Sequence, residues 1–206
     1  MTTTTSGHAA WTDAPPATPA RTRVGSLLRR WPVVAGIAMA AFTAYDMSAA
    51  DLAPILTASG LVYLGAAALG RRSATWPVFL GAFVIVAATP DLGVGIDATW
   101  ILLGLAGVFV GYGLLRGATR PADGLPLDGL PLQTLAMAGA GAIAAVSLFA
   151  GDEIGGYLVA AGLLGHAAWD VWHHRTGKVV ARSLAEFCFV IDTLLAVAMV
   201  VIAVRS

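Results

Sequence analysis

The sequence predicts an all-α, polytopic integral membrane protein, a seven-transmembrane-helix bundle. Three observations predict it. The 206 residues are 58% hydrophobic and only 12% charged, about half the ~25% charge of an ordinary soluble domain. Continuous apolar runs recur between short polar breaks, without the period-two alternation of barrel strands. The basic residues partition between those breaks as seven crossings require. The same composition excludes a disordered chain and leaves a soluble globule short of polar surface. With a net charge of +0 there is no basic patch to neutralise phosphates, so nucleic acid is excluded as a partner. The expected partner is the lipid bilayer.

Residues 1–30 are a different material. A Thr run is followed by Pro15, Pro16 and Pro19, then by Arg21, Arg23, Arg29 and Arg30. They predict a disordered cytoplasmic tail, with 31–206 as the transmembrane domain. Two arginines before an apolar run also fit a signal peptide, cleaved near Ala38-Met39-Ala40. An uncleaved first membrane helix explains the same residues.

The apolar runs place helices at 31–50, 52–70, 76–90, 98–115, 132–150, 154–173 and 183–204. A bilayer core takes about 20 apolar residues per helix, and about 17 suffice. The third run is short because Pro90 and Asp91 end it. Lipid offers no water to backbone polar groups, so helix is the spanning form.

With seven spans the loops alternate sides. One side receives Arg21, Arg23, Arg29, Arg30, Arg71, Arg72, Arg116, Arg120, Arg175, Lys178 and Arg182, eleven of the twelve basic residues. The other receives Asp51, Asp91, Asp97, Asp152 and Glu153, with Arg205 alone. Positive charge stays cytoplasmic, which predicts an internal N-terminus and an extracytoplasmic C-terminus. A single lysine, no asparagine and abundant Ala, Val and Gly point to a GC-rich bacterial genome, hence the inner membrane. The lone Cys188 excludes an intramolecular disulfide.

Leu56-Thr57-Ala58-Ser59-Gly60-Leu61 echoes Leu158-Val159-Ala160-Ala161-Gly162-Leu163 at a spacing of 102. A real duplication would relate helices one to three with five to seven as a parallel 3+1+3 repeat; chance matches are cheap in so plain a composition. Small residues four apart (Gly107 and Gly111, Gly141 and Ala145, Ala161 and Gly165) predict close helix contacts within the bundle.

Ionisable groups inside a membrane are costly and mark function. Helix six reads His166-Ala167-Ala168-Trp169-Asp170-Val171-Trp172-His173-His174. His166, Asp170 and His173 fall at i, i+4 and i+7, on one face. Helix seven brings Glu186 and Asp192. In an antiparallel hairpin joined at 174–182, Asp192 lies ~15 Å deep and His166 ~12 Å, so the two are nearly level. Glu186 and Asp192 stand about 120° apart around their helix, so they cannot both face helix six squarely. Tyr63 of helix two can donate to the same group, and Cys188 is expected to pack.

Three readings compete for this face. His166, Asp170 and His173, with an acid from helix seven, could hold a divalent metal as cofactor. The same groups, with Glu186, Asp192 and Tyr63, could pass a proton or solute. Or the loop is an ordinary basic surface with Trp169 and Trp172 as interfacial anchors and Glu186 paired to Arg182. The last leaves His166 and Asp192 unexplained. The leading expectation is therefore a protein that binds or moves a small ligand, proton or metal ion. A membrane-embedded enzyme, metal-dependent or acid-initiated, and a structural protein are the alternatives.

The three-one-three arrangement resembles the SWEET sugar transporters in architecture, but their Pro-Gln signature is missing: the nearest strings are Trp31-Pro32-Val33 and Pro131-Leu132-Gln133. A retinal protein is excluded, because the only lysine, Lys178, precedes the last helix.

Overall fold

The computed structural model describes residues 30–44, 48–93, 95–118 and 129–205. Most of the expected N-terminal tail lies outside them, as do Tyr45 and Asp46. The described residues form seven helices and no strand. These are α1 (Trp31–Thr43), α2 (Ala49–Leu69), α3 (Thr75–Ala88), α4 (Ala98–Leu115), α5 (Leu130–Ser147), α6 (Asp152–Thr176) and α7 (Arg182–Arg205). Short 3-10 turns, Arg72–Ala74 and Thr89–Leu92, extend α3 at both ends. Five helical stretches are long and apolar enough to cross a membrane: 51–69, 72–92, 98–115, 130–147 and 182–204. The two exceptions are informative. α1 has only 13 residues, and α6 has length to spare at 25 residues but carries the polar face.

The first expected helix, 31–50, needs correction. Ser48 is extended (φ −109°, ψ 174°) and caps a new helix. Its hydroxyl accepts from the Asp51 N–H at 3.3 Å, and the Asp51 carboxylate accepts from the Ser48 N–H at 2.7 Å. This reciprocal capping box satisfies two orphan donors and starts α2 at Ala49, inside the run assigned to helix one. The third element changes the other way. With its flanking turns it reaches 21 residues, because Pro90 sits at the start of a 3-10 turn, where a missing N–H costs nothing.

α2 is the hub. It packs against α3, α4, α5 and α6 and is apolar on most of its surface, as a largely buried helix must be, with Thr57, Ser59 and Tyr63 as buried polar exceptions. α6 lies along α7, and α1 packs on α7. α2 and α6 run parallel: a Cβ on Gly162 would meet Leu56 at 2.5 Å, and farther along Tyr63 bonds Asp170. The α1–α7 contact is close at Gly36, where a Cβ would sit 3.0 Å from the Phe187 carbonyl oxygen.

Basic residues gather at one end. Arg116 donates to the Leu69 carbonyl oxygen at 2.7 Å, meeting an orphan acceptor at the C-terminus of α2. Arg72 donates to the Lys178 carbonyl oxygen at 3.1 Å, and Trp76 to the Ser183 hydroxyl at 3.2 Å, tying the α2–α3 and α6–α7 connections together. Asp51, Asp91, Asp97, Asp152 and Glu153 lie at the opposite helix ends.

The small-residue pairs pack less of the bundle than expected. Gly141 does, with Leu103 of α4 at 2.5 Å from its would-be Cβ. A Cβ on Gly107, Gly111 or Gly165 would meet nothing within 4 Å among the described residues. Those positions face outward.

Candidate functional site

The centre of the molecule holds a polar cluster built from three helices. α6 places His166, Asp170 and His173 on one buried face, 8%, 0% and 1% exposed. α7 contributes Asp192, and α2 contributes Ser59 and Tyr63. His166 lies ten residues from the end of α6, ~15 Å along the axis, and Asp192 ten from the start of α7, at the same depth.

His166 Nδ1 is 2.8 Å from Asp192 Oδ2 and 3.5 Å from Asp170 Oδ2. The first is the length of a charge-assisted hydrogen bond. The outer oxygen of each carboxylate is held by a hydroxyl from α2. Ser59 Oγ donates to Asp192 Oδ1 at 3.4 Å, and Tyr63 Oη donates to Asp170 Oδ1. Both inner oxygens therefore turn toward one imidazole nitrogen. Donor atoms of His166, Asp170 and Asp192 all lie within 4.8 Å of one another, close enough to hold a metal ion.

His173 lies on the other side of Tyr63. The Tyr63 ring meets the His166 ring edge-on at 5.1 Å between centroids and the His173 ring at 4.8 Å. His173 Nδ1 donates to the Trp169 carbonyl oxygen at 3.0 Å, and its Nε2 is 3.1 Å from Gln133 Nε2 of α5. With the Gln133 amide N–H donating, this is the neutral imidazole protonated at Nδ1. The Gln133 carbonyl oxygen, buried without a hydrogen-bond partner, would accept from an imidazolium after an amide flip. His173 thus shares the face of His166 and Asp170 but belongs to a second polar pair. Glu186 is half-buried, and no hydrogen bond or ion pair joins it to the cluster. The two ion pairs among the described residues are those of His166. The expected Arg182–Glu186 pair is not one of them; the Arg182 guanidinium lies against Gly177 instead.

Ser59 and Gln133 carry no sequence signal of their own. A serine or glutamine in an apolar run is common, and only the packing of α2 and α5 on α6 gives these two a role.

A cavity of about 790 Å³ descends to the cluster. Its rim includes the exposed Asp51, Pro90 and Gly93 at the acidic end. Phe42 of α1 and Phe83 of α3 stand on its walls, and its floor is closed by Ser59, Cys188 and Asp192, all buried, with Asp192 0% exposed. Toward the basic end Trp31, Trp76, Phe79 and Phe187 pack in tilted and edge-to-face contacts, with centroids 5.1–5.6 Å apart, and join α1, α3 and α7.

No family model matches this chain, and no curated protein or solved structure is similar to it. What can be said of its function rests on the cluster and the cavity.

Proposed function

We propose that the chain is a bacterial inner-membrane transport protein in which the cluster relays protons. The basic end faces the cytoplasm by the positive-inside rule, which makes the acidic end and the cavity mouth extracytoplasmic. In this reading all seven helices cross, α6 being tolerated in lipid because its polar face is turned inward, and α1, whose 13 residues rise ~20 Å, by local thinning of the bilayer.

One observation carries the reading. A hydrogen-bonded line begins at the cavity with Ser59 and Asp192 and reaches His166 at 2.8 Å. Across a 3.5 Å ion-pair contact from His166 that is not a hydrogen bond, Asp170 and Tyr63 extend it toward the buried His173–Gln133 pair. Both carboxylates face His166 Nδ1, so a proton taken up from Asp192 at that nitrogen is handed on from the same nitrogen to Asp170, imidazole and carboxylate being natural donors and acceptors. The step from Tyr63 to His173 is a ring contact, not a hydrogen bond, so transfer there requires a water or a side-chain rotation.

A second reading has its own support. His166 Nδ1 and the inner oxygens of Asp170 and Asp192 converge, with both outer oxygens held by hydroxyls, the outer-shell pattern of metal sites. The 3.5 Å His166–Asp170 separation suits ligands at about 2.0–2.2 Å from one ion. The 2.8 Å His166–Asp192 separation is a hydrogen-bond length and would have to open. His166 Nε2 is buried with no acceptor, whereas a metal-bound imidazole normally donates its other N–H.

Two measurements on the purified chain test this. In liposomes with an entrapped pH-sensitive dye and an imposed potential, the native protein should carry proton flux that His166→Ala loses. Metal content should be substoichiometric and alike in the two. Stoichiometric metal lost in His166→Ala, without flux in the native protein, would replace the relay by the metal site.

A further inference from the structure

We infer that the cavity is a binding site for a lipophilic monocation, a hydrophobic body carrying one positive charge, and that this cation exchanges with a proton at Asp192. The exchange rests on the relay reading; occupancy of the cavity does not.

Size is the first ground. At about 790 Å³ the cavity falls within the range of about 300–1,000 Å³ that holds drug-sized ligands. Wall chemistry is the second. Phe42, Phe79 and Phe83 with Met39 and Ile55 make the shaft apolar, which favours a hydrophobic body, and aromatic faces also attract cations. Charge is the third and the most selective. Among the described residues three carboxylates line the cavity, Asp51 and Asp97 near the mouth and Asp192 deep inside, and no lysine, arginine or histidine does. The mouth acids are fixed by their capping bonds to Ser48 and Thr99. Fatty acids and anionic phospholipids carry net negative charge and would be repelled along the whole path. A cation is drawn inward at every step.

Asp192 is where such a ligand would meet the relay. It is faced by His166 and Asp170 from α6, by Ser59 and, one step on, Tyr63 from α2, and by Cys188 on its own helix. α1 and α3 contain no titratable residue. A cation arriving beside Asp192 therefore competes with a proton shared between that carboxylate and His166. Linkage makes the effect reciprocal: each ligand weakens the other.

Tetraphenylphosphonium and tetraphenylborate, matched in shape and opposite in charge, test this with the full chain in detergent. Equilibrium dialysis with each ion tested separately should find saturable binding of tetraphenylphosphonium to the native protein and none of tetraphenylborate. Ala87→Trp, which fills the shaft from an exposed position on α3, and Asp192→Asn should each weaken it by about tenfold or more. In weak buffer, binding should release protons. Absence of saturable binding by monodisperse native protein, equally tight binding of tetraphenylborate tested by itself, or native affinity in Ala87→Trp would each overturn the cavity assignment; proton flux in liposomes would then still support the relay. Selective binding without proton release supports the cation site and overturns the exchange at Asp192.

Discussion

Single side chains divide here into those that complete the cluster and those that stand near it. Tyr63 is 1% exposed and supplies the hydrogen bond to Asp170 Oδ1. Tyr63→Phe keeps the ring that separates His166 from His173 but leaves a buried acceptor unpaired, and that should cost about 1–3 kcal/mol. Glu186→Gln touches no cluster contact and should stay within about 0.5 kcal/mol. Thermal unfolding in detergent, followed by circular dichroism, measures both; equal losses would mean that the hydroxyl matters no more than a half-exposed acid. Much of the cluster can be read from spacing. His166, Asp170 and His173 share a face by helical geometry, and depth along a hairpin brings Asp192 level with His166. Spacing could not show that the Tyr63 ring wedges between the first and last of these. Seven residues span ~10 Å of helix, enough for an intervening aromatic from another helix.

Helix boundaries show where apolar runs mislead. Residues 31–50 read as one span because nothing in them is charged except Asp46. The break at Ser48 is written as Ser-x-x-Asp, a capping box with aspartate in the place usually held by glutamate. Ser48→Ala should weaken α2 by about 1 kcal/mol, seen as earlier hydrogen exchange in its first turn; unchanged exchange would remove the cap from the account. Glycines give a sharper contrast. Gly36→Ala drives a Cβ to 3.0 Å from both the Phe187 carbonyl oxygen and Val190 Cβ, neither of which can swing aside. It should cost about 1–3 kcal/mol by overpacking the α1–α7 contact. Gly107→Ala enters open space and should be neutral or slightly stabilising, since alanine is the better helix former. The same denaturation series reads both. Small-residue spacing alone does not separate these two glycines, because it records that backbones could approach, not that a neighbour is there.

Across the whole molecule, charge organises the fold. α2 buried among four helices, basic connections tied together at one end and acids at the other follow from one alternating chain. A reporter fused within 177–181 should be cytoplasmic and one fused after Ser206 periplasmic; a cytoplasmic reporter at both sites would contradict seven crossings. The cluster lies midway along α6 and α7, below a cavity that opens among acids, where the proposed proton path runs through His166 and its two carboxylates. Proton flux into liposomes, compared across four variants at equal protein incorporation, tests it most directly. His166→Ala and Asp192→Asn should reduce the native flux to the level of empty liposomes. Glu186→Gln and His174→Ala, which leave every contact of the cluster in place, should retain it. Equal flux in all four variants, or equal loss in all four, would mean that the cluster is not the proton path.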